Sequence, residues 1–261
     1  MTAMEEIVIR VQDVYKSFGS QKVLDGINLD VERGKITVII GKSGGGKSVL
    51  MKHLIGLVKP DRGKIWIDGV KITGLSERSL NEVRKRFGML FQEAALFDSM
   101  SVEENVAFPL REHTSLGERE IARIANEKLR QVGLFGAGEK MPSELSGGMK
   151  KRVGLARALA LDPEIVLFDE PTSALDPVIS LTIEELIKET QLRLKKTYVV
   201  ISHDVWGMFR IADRVAMLYE GRIVAFGTPY EIRRNDHPAV REFMRATRIP
   251  GVTGGLYDNR V

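Results

Sequence analysis

The run Gly41-Lys42-Ser43-Gly44-Gly45-Gly46-Lys47-Ser48 carries the sharpest chemical signal in the chain. It follows the apolar residues 36–40 and precedes helical spacing over residues 49–57, beginning at Val49, so it reads as strand, glycine loop, helix. The spacing G-x-x-x-x-G-K-[ST] suits phosphate. Its glycines let backbone N–H groups curl around phosphate oxygens at a curvature no side chain could follow, and the helix directs its positive end at the same anion. Lys47 is placed to neutralise the β and γ phosphates of a nucleotide, and the Ser48 hydroxyl to be a Mg²⁺ ligand.

Other residue types fall where the same chemistry needs them. The apolar run 165–168 ends in Asp169-Glu170-Pro171. Two carboxylates at the end of a buried strand are costly without a cation nearby. In an α/β protein ligands gather at strand ends, so Mg²⁺ is the natural counter-charge. Asp169 is then expected to orient Mg²⁺ through water and Glu170 to act as base for an attacking water, the alternative being a solvated turn. His203 follows the apolar run 198–201 and is a candidate for a γ-phosphate contact, although a lone histidine is often structural. Gln92 ends the run 87–91, and residues 94–100 are unusually apolar for a loop, which points to a hinge or docking surface. Ser146 with Gly147 and Gly148 reads as an N-cap and an open helix N-terminus able to grip an anion. Either Phe18 or Tyr15 can stack on a purine or pack in the core.

These residues need a scaffold, and the composition permits one. A length of 261 residues allows one large domain or a domain plus a lobe, and 43% hydrophobic with 28% charged residues is ordinary for a globular chain. Without cysteine there is no disulfide framework, thiolate metal site or cysteine catalysis. Residues 1–12 mix charge with apolar residues and are read as lacking a secretory signal, and no run approaches a membrane span. The net charge of +4 is dispersed, its densest patch being Arg84-Lys85-Arg86, so a nucleic-acid partner is not expected.

Strands are expected at 7–14, 27–31, 36–40, 64–68, 87–91, 165–168 and 198–201, with a closing hairpin of 215–219 and 222–226 around Glu220-Gly221. Helices are expected at 76–86, at 102 onward behind a Ser101/Glu104 capping box and ending at Pro109, at 117–132 with Gly133 as stop, at 153–161 and at 237–246. Another spans 178–195 behind Asp176 and Pro177, with Ile179, Ile183, Leu186, Ile187 and Leu194 on its apolar face. Residues 98–160 thus look all-helical between two strand-rich parts, as a lobe inserted in an α/β core would.

Together these elements resemble the nucleotide-binding domain of ATP-binding-cassette (ABC) proteins, over about residues 7–235. The likeness rests on Gly41 to Ser48, Gln92, Leu145-Ser146-Gly147-Gly148, residues 165–170, Ser173 to Asp176 and His203, all in family order. It implies an α/β P-loop NTPase (RecA-like) core with an N-terminal antiparallel β subdomain and an inserted α-helical subdomain. The single ATPase domain would span 1–235, with 1–97 and 161–235 forming the core, 98–160 the helical subdomain, and 236–261 a helix and irregular tail. It implies ATP and Mg²⁺ as cofactors, Phe18 rather than Tyr15 on adenine, and ATP contacts from Gly41, Lys42, Ser43, Gly44, Gly45, Gly46, Lys47, Ser48 and Val49. It assigns Glu170 as general base, His203 to the γ phosphate, Ser48, Gln92 and Asp169 to Mg²⁺, and Asp176 to the loop after the catalytic strand. It also implies a head-to-tail homodimer in which Ser146, Gly147 and Gly148 close in trans over the partner's ATP. A helix N-terminus with no phosphate of its own agrees with that arrangement.

Met149 departs from the family's usual glutamine, which removes a polar contact to the opposite ribose. With Phe91 to Phe97, Val106 to Thr114 and Met141 to Lys150, the departure is similar to the ATPases of Mla-type phospholipid transport systems. Those imply an ATPase on the cytoplasmic face of the bacterial inner membrane that maintains outer-membrane lipid asymmetry. Its partners would be a permease docked near Gln92 to Leu110, an MCE-domain periplasmic protein and a small accessory cytoplasmic subunit. Leu96, Phe97, Met100 and Phe108 would line or border the permease groove. An importer of an amino acid or another polar solute is the alternative. DNA-repair ATPases are disfavoured by the short gap from Ser48 to Leu145 without sustained heptads, translation factors by the single cassette, and a GTPase by the absence of N-K-x-D.

Overall fold

The computed structural model describes residues 6–246, so the irregular tail expected over 248–261 lies outside the described residues. β1 (Ile7–Phe18) and β2 (Gln21–Glu32) form a hairpin around Gly19-Ser20. Both run further than the apolar alternation indicates, because cross-strand pairing continues from Tyr15 opposite Asp25 to Phe18 opposite Gln21. β3 (Ile36–Ile40) starts a second sheet, whereas β4 (Arg62–Ile67) and β5 (Val70–Lys71) complete the first in the order β2-β1-β4-β5. This is the antiparallel N-terminal sheet.

The second sheet has the order β10-β9-β3-β8-β7-β6. Its remaining strands are β6 (Phe87–Leu90), β7 (Ile165–Asp169), β8 (Thr197–Ser202), β9 (Arg214–Tyr219) and β10 (Arg222–Gly227). All pairs are parallel except the β9–β10 hairpin, whose Glu220 and Gly221 both have positive φ as a primed turn requires. The apolar runs are continuous because both faces are covered. Val166 and Phe168 of β7, and Tyr198 and Val200 of β8, join one core with the helices. Ile165, Leu167, Val199 and Ile201 join another under the antiparallel sheet.

α1 (Lys47–Leu54) follows β3, and α2 (Glu77–Arg84) precedes β6. α1 ends earlier than its apolar spacing indicates. Gly56, at φ 65, donates to the His53 carbonyl while Leu57 N–H reaches that of Lys52, closing a Schellman turn. Between β6 and β7 lie α3 (Val102–His113), α4 (Glu118–Gln131) and α5 (Gly147–Ala158), with one 3₁₀ turn and no strand among the described residues. The capping box of Ser101 and Glu104 is present. Pro109, expected to end α3, lies inside it. The lost N–H bond and ring clash cost about 3 kcal/mol, but Val102, Val106 and Leu110 are buried against α4 and α5, each contributing about 1.5–3 kcal/mol.

α6 (Pro177–Leu194) is followed by α7 (Val205–Ile211), α8 (Pro229–Arg233) and α9 (Pro238–Ala246). The short α7 and α8 escape a periodicity search because each offers fewer than two turns. The expected apolar face of α6 is corrected at its first turn. Ile183, Leu186 and Ile187 are buried and the half-buried Leu194 packs against the same core, but Ile179 is exposed. Ile179 meets Gly148 at the start of α5 rather than the core.

Glu184 on α6 is 1% exposed, and only one of its carboxylate oxygens has a partner, the guanidinium of Arg210 on α7. Burial pushes its carboxyl above the ordinary carboxylate range, against the opposing pull of Arg210. A raised folded pKa means that the native state binds the proton more tightly. The stability this contributes is present at low pH and lost as pH rises through the folded pKa. Glu184→Gln abolishes that titration. Its melting temperature relative to wild type is therefore expected to improve as pH rises above the ordinary carboxylate range and to level off once pH has passed the folded pKa of Glu184, as thermal unfolding against pH will read.

Candidate active site

Parallel register gathers the chemistry. Ile40 of β3 lies opposite Ser202 of β8, Asp169 of β7 opposite Ile201, and Leu90 of β6 opposite Phe168. Four strands thus end in one row, and the glycine loop, His203, Asp169-Glu170 and Gln92 emerge at the same edge. There they border a cleft of about 570 Å³, lined by Phe18, Gln21, Val23, Ser43, Gly44, Gly46, Lys47, Ser48, Val49, Gln92, Glu170 and His203.

The loop demands its glycines where the backbone is closest. A Cβ on Gly41 would fall 2.3 Å from the Leu218 carbonyl oxygen, and Gly46, at φ 96, forms the left-handed N-cap of α1. No side chain caps that helix and no acid occupies its first turn, so its leading N–H groups face the cleft open to an anion. Lys47 is buried across the loop, its Nζ donating to the carbonyls of Gly41 at 2.9 Å and Lys42 at 3.1 Å. Burial lowers its pKa, while the charges of Glu170 and Asp169 act in the other direction. The Lys42 side chain turns away to Glu242 of α9, 3.2 Å distant.

The Ser48 hydroxyl donates to Asp169 Oδ1 at 3.4 Å. Two hard oxygen donors this close, with the Gln92 amide on the same cleft, fit Mg²⁺, which keeps phosphate and water as most of its ligands. The described residues contain no cluster of three or more His, Cys, Asp or Glu that could hold a metal without such help.

Glu170 has φ 49, a left-handed conformation that turns its side chain back toward β8. Its Oε2 accepts from the backbone N–H of His203 at 3.2 Å and lies 2.7 Å from His203 Nδ1. A carboxylate acceptor places the proton on Nδ1. Phe18, half exposed at the end of β1, borders the cleft with the Lys16 ammonium 5.4 Å from its ring centre. Tyr15 instead packs over Gly26 and under Arg62, outside the cleft.

Ser146, Gly147 and Gly148 do not reach this cleft in the same chain. Ser146 caps α5 through Met149 N–H at 3.3 Å, and it and Gly147 are exposed. Asp176 caps α6, accepting from Val178 and Ile179 N–H, each at 3.0 Å. Sequence reasoning missed Gln21 and Val23, which follow the β1–β2 turn onto the cleft, and missed Lys151, a buried cation one turn into α5. Only the alternation of β2 hinted at the first two, and nothing local marked Lys151.

A family model described as ABC transporter matches residues 24–173, more than half of the chain. The chain is an ABC transporter ATPase. A probable ribonucleotide transport ATP-binding protein, mkl, of Mycobacterium leprae is 46% identical over 93% of this chain and 70% of its own length. The intermembrane phospholipid transport system ATP-binding protein MlaF of Haemophilus influenzae is 45% identical over 93% of this chain and 92% of its own. Among solved structures, the dimeric post-hydrolysis state of the ATP-binding cassette MJ0796, bound to ADP and Pi, superposes with a TM-score of 0.77 at 31% identity, covering 85% of this chain and 98% of that one. ATP hydrolysis is accordingly the activity of this ABC ATPase, on a P-loop NTPase fold. No helix among the described residues is long and apolar enough to cross a membrane.

Proposed function

We propose that this ABC ATPase energises intermembrane phospholipid transport from the cytoplasmic face of a bacterial inner membrane. The permease, an MCE-domain periplasmic protein and a small accessory cytoplasmic subunit would be separate chains. The supporting observation is end-to-end correspondence with the Haemophilus MlaF, since nearly all of each chain aligns with the other. The mycobacterial ribonucleotide-transport relative, with one percentage point more identity, supports the alternative of a polar-solute transporter.

Two copies would close head to tail over two ATP molecules, the open N-terminus of α5 in each gripping the phosphates bound by its partner. Val178, Ile179 and Leu181, exposed at the start of α6 beside that N-terminus, would then be covered. Glu170 would take the proton of the attacking water. His203 would donate from Nδ1 to Glu170 and contact the γ phosphate with the far side of its ring, while Lys47 neutralises the oxygens beside it. Mg²⁺ held by Ser48, Asp169 and the Gln92 amide would supply charge neutralisation at the phosphates.

Phe18 would stack on the base. Phe18→Ala is expected to weaken ATP binding roughly 5- to 150-fold, the equivalent of about 1–3 kcal/mol of stacking. Tyr15→Ala should leave it unchanged, and titration with a fluorescent ATP analogue reads both.

The permease would dock in a second groove of about 830 Å³ bordered by Met89, Phe91, Phe97, Phe108 and Pro109, directly beyond Gln92. Phe97 and Phe108 pack there with ring centres 4.8 Å apart, whereas Leu96 turns inward against the core. The test is purification of tagged protein from detergent-solubilised native membranes with partners identified by mass spectrometry. An MCE-domain protein with a multi-span permease supports phospholipid transport. A solute-binding protein with a different permease would overturn the substrate and keep the catalytic assignments.

A further inference from the structure

Lys151 is 5% exposed, yet its ammonium is directed at neither a carboxylate nor solvent. Nζ donates to the backbone carbonyls of Gln92 and, at 3.3 Å, Glu170. These are the two cleft residues at the ends of β6 and β7. Six residues further along α5, Arg157 donates to the carbonyls of Ala94 at 2.6 Å and Ala95 at 2.7 Å. One helix thus holds the loop after β6 with two cations and the turn after β7 with one of them.

The held segments are those with costly backbones. Glu170, Ala94 and Ala95 all have positive φ, which a non-glycine residue keeps only when its surroundings impose it. A desolvated ammonium is a strong donor to a carbonyl, and here it meets two carbonyls from segments far apart in sequence. Burial lowers the pKa of Lys151, and the nearby charges of Glu93, Glu170 and Asp169 act to retain its proton.

We infer that Lys151 is a positioning residue for hydrolysis: it fixes the Glu170 and Gln92 backbones relative to each other and ties both to the helix that begins Ser146-Gly147-Gly148. Movement of that helix end on dimer closure is therefore transmitted to the Glu170 carboxylate. The inference rests on reading Glu170 as the base. Lys151 donates to Gln92 and Glu170 through their backbone carbonyls and to no residue of the loop Gly41 to Ser48, so ATP binding is expected to survive its loss.

The test is steady-state hydrolysis and ATP binding by Lys151→Met, which keeps the aliphatic stem and volume, and Lys151→Arg, which keeps the charge and donors. Lys151→Met should lower kcat at least tenfold with KM for ATP within twofold of wild type, and Lys151→Arg should recover most of the rate. In a Glu170→Gln background, Lys151→Met should cost nothing further. An unchanged kcat, a loss confined to KM, or full additivity with Glu170→Gln would overturn the role. If Lys151→Met fails to fold, Lys151→Gln, a neutral donor that reaches only one carbonyl, takes its place with the same expected split between kcat and KM. A Glu170→Gln enzyme that hydrolyses at the wild-type rate would refute the base assignment itself, and the Lys151 single variants read separately from that outcome.

Discussion

Glu170→Gln is expected to slow ATP hydrolysis by about 10²–10⁴-fold while ATP binding is retained, because loss of a positioned base costs that much. The substitution is nearly isosteric. The amide oxygen can still accept from the His203 backbone N–H, so the left-handed turn at residue 170 should survive. What disappears is a group able to take a proton from water. Two copies should then remain closed over unhydrolysed ATP. Phosphate release gives the rate, nucleotide titration the affinity, and size-exclusion chromatography with ATP the accumulated dimer. Hydrolysis at the wild-type rate would remove Glu170 from the mechanism.

Lys47→Ala is expected to fail one step earlier, weakening ATP binding itself by about 10²–10³-fold. Each hydrogen bond from a charged donor contributes about 1.5–3 kcal/mol, and the ammonium is held desolvated across the glycine loop by two of its carbonyls. Its removal takes away the cation and leaves those carbonyls without that donor, so the loop loses the tie across it. Lys42, in the same glycine-rich run, is a built-in control. Its side chain turns away into an exposed ion pair with Glu242, so any ATP contact of Lys42 comes from its backbone, and Lys42→Ala should leave ATP affinity close to wild type. Equal losses from the two alanine variants would show that the charge of the loop, rather than the placement of Lys47, governs binding.

The difference between these lysines illustrates how far sequence reading goes. Local chemistry was mostly legible where the responsible hydrogen bonds close within a few residues, the Schellman turn that ends α1 at Gly56 being the exception. The capping box at Ser101 and Glu104, the caps at Ser146 and Asp176, and the primed turn at Glu220-Gly221 all form as their residue types dictate. So does the strand, loop and helix around Lys47. Continuous apolar runs likewise announced β3, β7 and β8 as strands covered on both faces. These features, with the family order of the motifs, established an ABC-type ATPase from the sequence.

Tertiary structure decided everything that depends on which distant segment covers which. The placement of β3 between β8 and β9, which brings Lys47, Glu170, Gln92 and His203 to one cleft, comes from pairing strands that lie far apart in the chain. Burial of apolar surface drives that pairing and is non-directional, so no local pattern names the neighbour. The same packing carries α3 through Pro109, leaves Ile179 exposed beside Gly148, and buries Lys151 against two backbone carbonyls. A residue type and its immediate neighbours specify hydrogen bonds made nearby. The environment of Lys151 is made by residues 59 and 19 positions away, and only the folded chain brings them to it.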